Sequence, residues 1–245
     1  MHLILIRHGQ SQWNLENRFT GWKDISLTDT GIEEAKFSGE QLLKCGISID
    51  TFYTSLLERA THTADIIADL IGFNKKNIKY EWKLNERHYG ALQGLNKSET
   101  ALKYGEEQVQ IWRRSFDISP PLLSNDDERH PKFNNKFKDI SNLPVGESLK
   151  NVIERLMPFW EDYFEKIKNN QGNHLIVAHS NSLRAIIKIL DKLSEEEIVS
   201  VNIPTGVPLV YKFDLDFKII EKKYLIDEET LRKKQEIVAN QGKVK

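Results

Sequence analysis

Arg7-His8-Gly9 stands where a short apolar run, Leu3-Ile4-Leu5-Ile6, gives way to polar sequence. An arginine beside a histidine at the exit of a strand points to phosphate chemistry. The guanidinium is a fixed cation with a bidentate fork. The imidazole is a nitrogen nucleophile that can be neutral near pH 7. Gly9 lets backbone approach closely, and Ser11 and Asn14 supply neutral donors just beyond it. A histidine that only hydrogen-bonds backbone is the plain alternative for His8 taken alone.

A second histidine repeats the setting. His174-Leu175-Ile176-Val177-Ala178 is an apolar strand that runs into His179-Ser180-Asn181-Ser182 at the mouth of a helix. Helix N-termini bind anions through free N–H groups, although these polar residues can equally be simple caps. Arg59 falls early in a helix, where it opposes the helix dipole and a local anion would explain it. A surface pair with Glu58 or Asp65 is the competing reading. Arg113-Arg114 reads as a favourable charge pair at a helix end, and Lys97 follows a glycine-rich turn, Gly90 to Gly94. Glu86, in Leu84-Asn85-Glu86-Arg87-His88-Tyr89, is the best candidate acid, because phosphoryl transfer to or from a hydroxyl needs a proton acceptor and donor. His88 lacks partners at metal-ligand spacing on a helix, so a metal site is the weaker reading.

The elements that must position these groups alternate. Strands are expected at 2–6, 51–54, 78–81 and 174–178, with a closing hairpin at 209–213 and 218–224. Helices are expected at 28–45 (Thr30-x-x-Glu33 as a capping box and Gly46 as the stop), 57–71, 96–114 with a break near Gly105, 147–168, 182–192, and from 227 onward. Such alternation predicts an α/β fold: three layers, a mostly parallel sheet flanked by helices on both faces. Ligands of such sheets bind at the carboxyl ends of the strands, where His8 and His179 both sit. Residues 115–146 carry no clear period and read as a long irregular insertion.

The chain has 245 residues, 39% hydrophobic and 29% charged, with 35 basic against 36 acidic side chains. This bounds one sizeable α/β domain spanning 1–245. A net charge of −1 gives no global pull toward nucleic acid or membrane. The single cysteine, Cys45, cannot form an intrachain disulfide and argues against a cysteine-based metal site. The expected setting is cytoplasmic, with no membrane partner.

The sequence resembles the 2,3-bisphosphoglycerate-dependent phosphoglycerate mutases of the histidine phosphatase superfamily. The stretches that carry the resemblance are Arg7 to Asn14, Arg18 to Trp22, Leu84 to Asn96, Trp112 to Arg114, Ala178 to Arg184 and Asn202 to Val210, in family order. Leu84 to Asn96 separates the mutases from general phosphatases of the superfamily. The resemblance implies interconversion of 3-phosphoglycerate and 2-phosphoglycerate, with a phosphohistidine at His8 and a 2,3-bisphosphoglycerate intermediate that also primes the enzyme. Arg7, Arg59 and His179 would surround the transferring phosphoryl group, and Glu86 would be the acid/base. Ser11, Asn14, Thr20, Gly21, Tyr89, Lys97, Arg113, Arg114, Ser180 and Asn181 would bind the phosphoglycerate. No metal is implied. A homo-oligomer, dimer or tetramer, is implied, with a mobile tail over about 230–245 that covers the site. The sequence departs from the family at Gln10 (usually Glu), Ser180 (usually Gly) and Ile226 (commonly Gly). A phosphatase of the same superfamily, a non-catalytic anion binder and a metal-dependent hydrolase are the competing readings.

Overall fold

The computed structural model describes residues 1–169 and 172–241. One six-stranded sheet organises them: β1 (His2–Arg7), β2 (Thr51–Thr54), β3 (Lys79–Tyr80), β4 (His174–Ala178), β5 (Leu209–Phe213) and β6 (Ile219–Tyr224). Their spatial order is β3-β2-β4-β1-β5-β6. The first four run parallel, and β5 and β6 join antiparallel as the predicted hairpin at one edge.

The helices are α1 (Gln12–Leu15), α2 (Asp29–Lys44), α3 (Glu58–Ile71), α4 (Lys97–Tyr104), α5 (Glu106–Arg114), α6 (Leu149–Asn169), α7 (Ser180–Asp191), α8 (Glu195–Ser200) and α9 (Glu228–Asn240). The period-two geometry of β1 shows how the layers form. Leu3 and Leu5 join the core beneath α6 and α7, with Leu156, Trp160, Leu183 and Ile187. Ile4 and Ile6 point the other way, into the core of α2 and α3, with Leu42, Ala64 and Ile67. Both faces of the sheet are covered, which is why its central strands read as unbroken apolar runs.

Several boundaries differ from expectation. The cap of α2 is Thr28, whose hydroxyl accepts from the Gly31 N–H, and not Thr30. Thr28 is fixed from outside the helix: its N–H donates to the Gln10 backbone carbonyl and its hydroxyl to the Gln10 side-chain oxygen. Tertiary pairing thus overrides a local capping pattern. The break at Gly105 is as expected, with φ at +89° separating α4 from α5. α7 begins at Ser180, two residues early, and α1 and α8 are short helices that no periodic pattern announces. Insertion 115–146 is irregular except for 3₁₀ turns at Pro131–Phe133 and Asn135–Phe137. It is tied to the glycine-rich turn through Ala91 N–H to Pro121 O and Arg129 to the carbonyls of Ala91 and Gln93. Of the expected tail, Ala239 and Asn240 end α9 and Gln241 follows it, while Gly242 and Lys243 lie outside the described residues.

Gly9 has a steric role as well. A Cβ built there would lie 2.1 Å from the Gly31 carbonyl oxygen, and one on Gly31 would lie 2.1 Å from the Gln10 carbonyl oxygen, so α2 can seat its first turn against the loop after β1 only if both residues are glycine.

Candidate active site

β1 and β4 are direct neighbours, with Arg7 opposite Ala178, and the His8 N–H continues the ladder to Ala178 O at 3.0 Å. The two predicted histidines therefore leave adjacent strand ends. Their ring centroids stand 4.9 Å apart.

The partners of His8 fix its chemistry. Its Nδ1 lies 2.7 Å from Gly9 O. A carbonyl oxygen only accepts, so Nδ1 carries the hydrogen and Nε2 the lone pair. Burial, then Arg59 and Arg7, hold this imidazole well below its usual pKa range. It is therefore a neutral imidazole whose Nε2 lone pair is available for chemistry. Arg59 Nε donates to Nε2 at 3.2 Å. Its remaining guanidinium nitrogens are anchored on Gly21 O at 2.9 Å and Lys23 O at 3.1 Å. Arg59 thus turns inward and is 1% exposed; pairing with Glu58 or Asp65 is not what holds it. The positive φ of Gly21 (+56°) aims that carbonyl, and a Cβ there would meet Gln93 Oε1 at 2.7 Å.

Glu86 is held by what surrounds it on two sides. Its Oε1 accepts from the Arg87 N–H (2.7 Å), the Asn181 N–H (3.1 Å) and Asn181 Nδ2 (2.9 Å). Asn181 is oriented in turn by Arg184, which donates to its Oδ1 at 3.0 Å. Beyond the 3₁₀ turn at Trp82–Leu84 the backbone as far as His88 has no regular structure, yet the carbonyls of Lys83, Asn85 and Glu86 are satisfied. Arg155 donates to those of Lys83, Asn85 and Glu86. Trp22 Nε1 donates to Glu86 O at 2.5 Å. Glu147, paired to Arg155 at 2.6 Å with side chains 4% and 8% exposed, accepts the His88 N–H. Removing one member of a buried pair leaves the other uncompensated. Arg155→Met is therefore expected to lower stability by about 3 kcal/mol or more, read as a fall in the urea midpoint. An unchanged midpoint would remove the pair from this role.

Around these groups lies a cavity lined by Arg7, His8, Asn14, Arg18, Thr20, Arg59, Glu86, Tyr89, Lys97 and Ser180. It is strongly cationic. Burial, and next the charge of Arg113, hold Lys97 well below its usual range. Burial, above all, brings Arg59 and Arg113 down to about 10. Buried cations that repel one another are a site prepared for a multiply charged anion. Lys97 also donates to Gln241 Oε1 at 3.2 Å, and Arg114 reaches Asn202 Oδ1 at 2.6 Å and Val238 O at 3.4 Å, so α9 reaches the cationic cluster. A wider groove along α9 shares Arg7 and Asn14 with the cavity.

Most of the expected site residues meet here. Ser11 stands one step back: it and Asn14 form the reciprocal cap of α1. Asn181 and His179 lie behind the wall, on Glu86 and beside His8. Of the Ser180-Asn181-Ser182 trio, Ser182 does the capping, exchanging bonds with the His179 backbone. Ser180 is the first helical residue and has no positive φ, so its side chain introduces no backbone strain. Gln10 is engaged elsewhere, accepting from the Thr28 hydroxyl. Ile226 sits in the bend before α9, also without positive φ. His88 accepts the Gly90 N–H and packs on Trp22, and burial brings it down to about 3. Among the described residues no group of three or more His, Cys, Asp or Glu side chains is arranged to hold a metal ion. Arg18 is a lining residue that residue-by-residue reading missed, although it opens the Arg18 to Trp22 stretch.

Comparison with known proteins agrees with this geometry. Residues 3–221 match the profile of the histidine phosphatase superfamily (branch 1). The chain is 53% identical over 247 aligned positions, covering 100% of both sequences, to a 2,3-bisphosphoglycerate-dependent phosphoglycerate mutase of Treponema denticola. Among solved structures, a mycobacterial glucosyl-3-phosphoglycerate phosphatase complexed with VO3 superposes with a TM-score of 0.67 at 21% identity, over 86% of this chain and 92% of that one. The alpha-ribazole phosphatase of Shigella flexneri gives 0.65 at 22%, over 91% and 95%. At these identities the structural likeness is one of fold.

Proposed function

The chain belongs to the 2,3-bisphosphoglycerate-dependent phosphoglycerate mutases of the histidine phosphatase superfamily, and from that premise we propose that His8 is the phosphoryl carrier through which it interconverts 3-phosphoglycerate and 2-phosphoglycerate. The observation that carries this reading is the unprotonated Nε2 of a neutral His8, beside Arg59 on the wall of a cationic cavity that also holds Glu86.

The proposed step balances simply. Nε2 of phosphorylated His8 releases its phosphoryl group as the substrate hydroxyl oxygen bonds to phosphorus, and Glu86 takes the hydroxyl proton. In the return step Glu86 gives the proton back to the departing oxygen, and Nε2 accepts a phosphoryl group. Arg7, Arg59 and His179 hold the phosphoryl oxygens throughout, so catalysis is positioning plus charge stabilisation by fixed donors. Asn14, Thr20, Gly21, Tyr89, Ser180 and Asn181, with Ser11 supporting Asn14, orient the substrate. Lys97, Arg113 and Arg114 take its carboxylate and remote phosphate. The cofactor, 2,3-bisphosphoglycerate, supplies the phosphoryl group that charges His8. Its two phosphates and carboxylate fit the donor set present, since Arg7, Arg59 and Lys97 line the cavity with Glu86 as the one carboxylate among its lining residues.

Water must be kept from phosphorylated His8. The contacts of Gln241 with Lys97 and of Val238 with Arg114 support a covering role for α9 and the tail, and insertion 115–146 buttresses the turn at Gly90. Water exclusion is also what separates a mutase from a phosphatase built on the same fold. With 3-phosphoglycerate as substrate, 2-phosphoglycerate is expected to accumulate well ahead of inorganic phosphate. Phosphate release keeping pace with isomer would replace the mutase reading by a phosphatase one. The proposal includes a cytoplasmic homo-oligomer, tested by mass in solution. No described helix is long and apolar enough to cross a membrane.

A further inference from the structure

Ser55 lies at the carboxyl end of β2, beside the end of β4 that bears His179. It is 0% exposed, as is His179. Its Oγ is 2.7 Å from His179 Nε2 and accepts the Leu57 N–H at 3.2 Å. No other acceptor for the Ser55 hydroxyl hydrogen is present among the described residues. A buried hydroxyl left without a partner costs on the order of 1–3 kcal/mol. Satisfying it requires Nε2 of His179 to be the acceptor, with its lone pair toward Ser55. The remaining ring nitrogen, Nδ1, is buried and makes no hydrogen bond, although the side chain packs against the Ser182 N–H in the first turn of α7. The His179 ring packs against the His8 ring, and Arg59, His8, Arg7 and Arg155 are the charged or titratable groups that act on it.

We propose that Ser55 is a positioning residue that fixes His179 as the Nδ1–H tautomer, presenting a neutral donor to the phosphoryl group at His8. The two histidines then share one tautomer and use it oppositely. On His8 the Gly9 carbonyl takes the Nδ1 hydrogen and bares Nε2 as nucleophile. On His179 the Ser55 hydroxyl occupies Nε2 and leaves Nδ1–H to donate. A ring nitrogen that carries its hydrogen can donate to phosphoryl oxygens and cannot attack phosphorus. The proposal rests on the reading of His8 as the phosphoryl carrier, but the tautomer itself can be read without turnover.

The test is ¹⁵N NMR of the full chain labelled in its histidine rings at pH 7, with His179 identified by its loss in His179→Asn. Nδ1 of His179 is expected to give the shift of a protonated ring nitrogen and Nε2 that of a bare one. A proton on Nε2, or on both nitrogens, would overturn the proposal whatever the role of His8. In Ser55→Ala the preference is expected to collapse toward a mixture and kcat to fall about tenfold, with KM little changed. A folded variant with an unaltered His179 spectrum or unaltered kcat would also overturn it. Should Ser55→Ala fail to fold, the wild-type spectrum still decides. Failure of His8 to carry acid-labile phosphate would instead refute the underlying reading and leave the measured tautomer standing.

Discussion

Replacing His8 with alanine is expected to lower mutase turnover by roughly 10⁴-fold or more and to abolish acid-labile phosphate on the protein. The size of the effect follows from the site. His8 lines the cavity as a neutral imidazole with an unprotonated Nε2 beside Arg59, and its pKa is held low by burial and by Arg59 and Arg7. His179 is not placed to replace it, because its Nε2 faces Ser55 and it does not line the cavity. The fold should persist, since the alanine removes a buried polar ring from beside two arginines and leaves the β1–β4 ladder intact. Measured turnover together with quenched-label incorporation checks this. Substantial activity or labelling in the variant would move the nucleophile elsewhere.

Glu86→Gln is expected to lower kcat by about 10²-fold or more with a much smaller change in KM. The substitution is well matched to the question. The glutamine carbonyl oxygen can accept the same three N–H groups, from Arg87 and Asn181, that hold Oε1. Geometry is preserved while the oxygen that would take the proton is replaced by an amide that cannot. A loss in kcat then reports proton transfer and not misplacement. Near-normal kcat in this variant would hand the acid/base role to another group.

The parts of this account legible in the sequence are those written in local pattern. The apolar run of β1 and its echo in β4, each ending at a histidine, place both groups at strand ends. The parallel rule for such sheets makes their convergence an expectation, which the β1–β4 pairing meets. Arg59, Lys97 and Glu86 were readable as residue types with a chemical use. Their partners were not. Arg155 and Glu147 lie some 60 to 70 positions beyond the segment they hold, and nothing near residues 83–88 signals that its carbonyls need them. Asn181 is readable as a substrate-binding or capping residue, but its hydrogen bond to Glu86, 95 positions away, is not. Thr30 matched a capping pattern that lost to Thr28, because the Gln10 backbone reaches only the latter. In each case a long-range contact decides between options that local sequence leaves equal.

Turnover of 3-phosphoglycerate, followed with a metal chelator present while trace 2,3-bisphosphoglycerate is added to enzyme stripped of phosphate, tests the central claim most directly. A phosphohistidine shuttle predicts little isomerisation before the addition and a steep, saturable rise after it, tracking acid-labile phosphate on His8. Isomerisation at full rate without bisphosphate, or activity that the chelator removes, would contradict it.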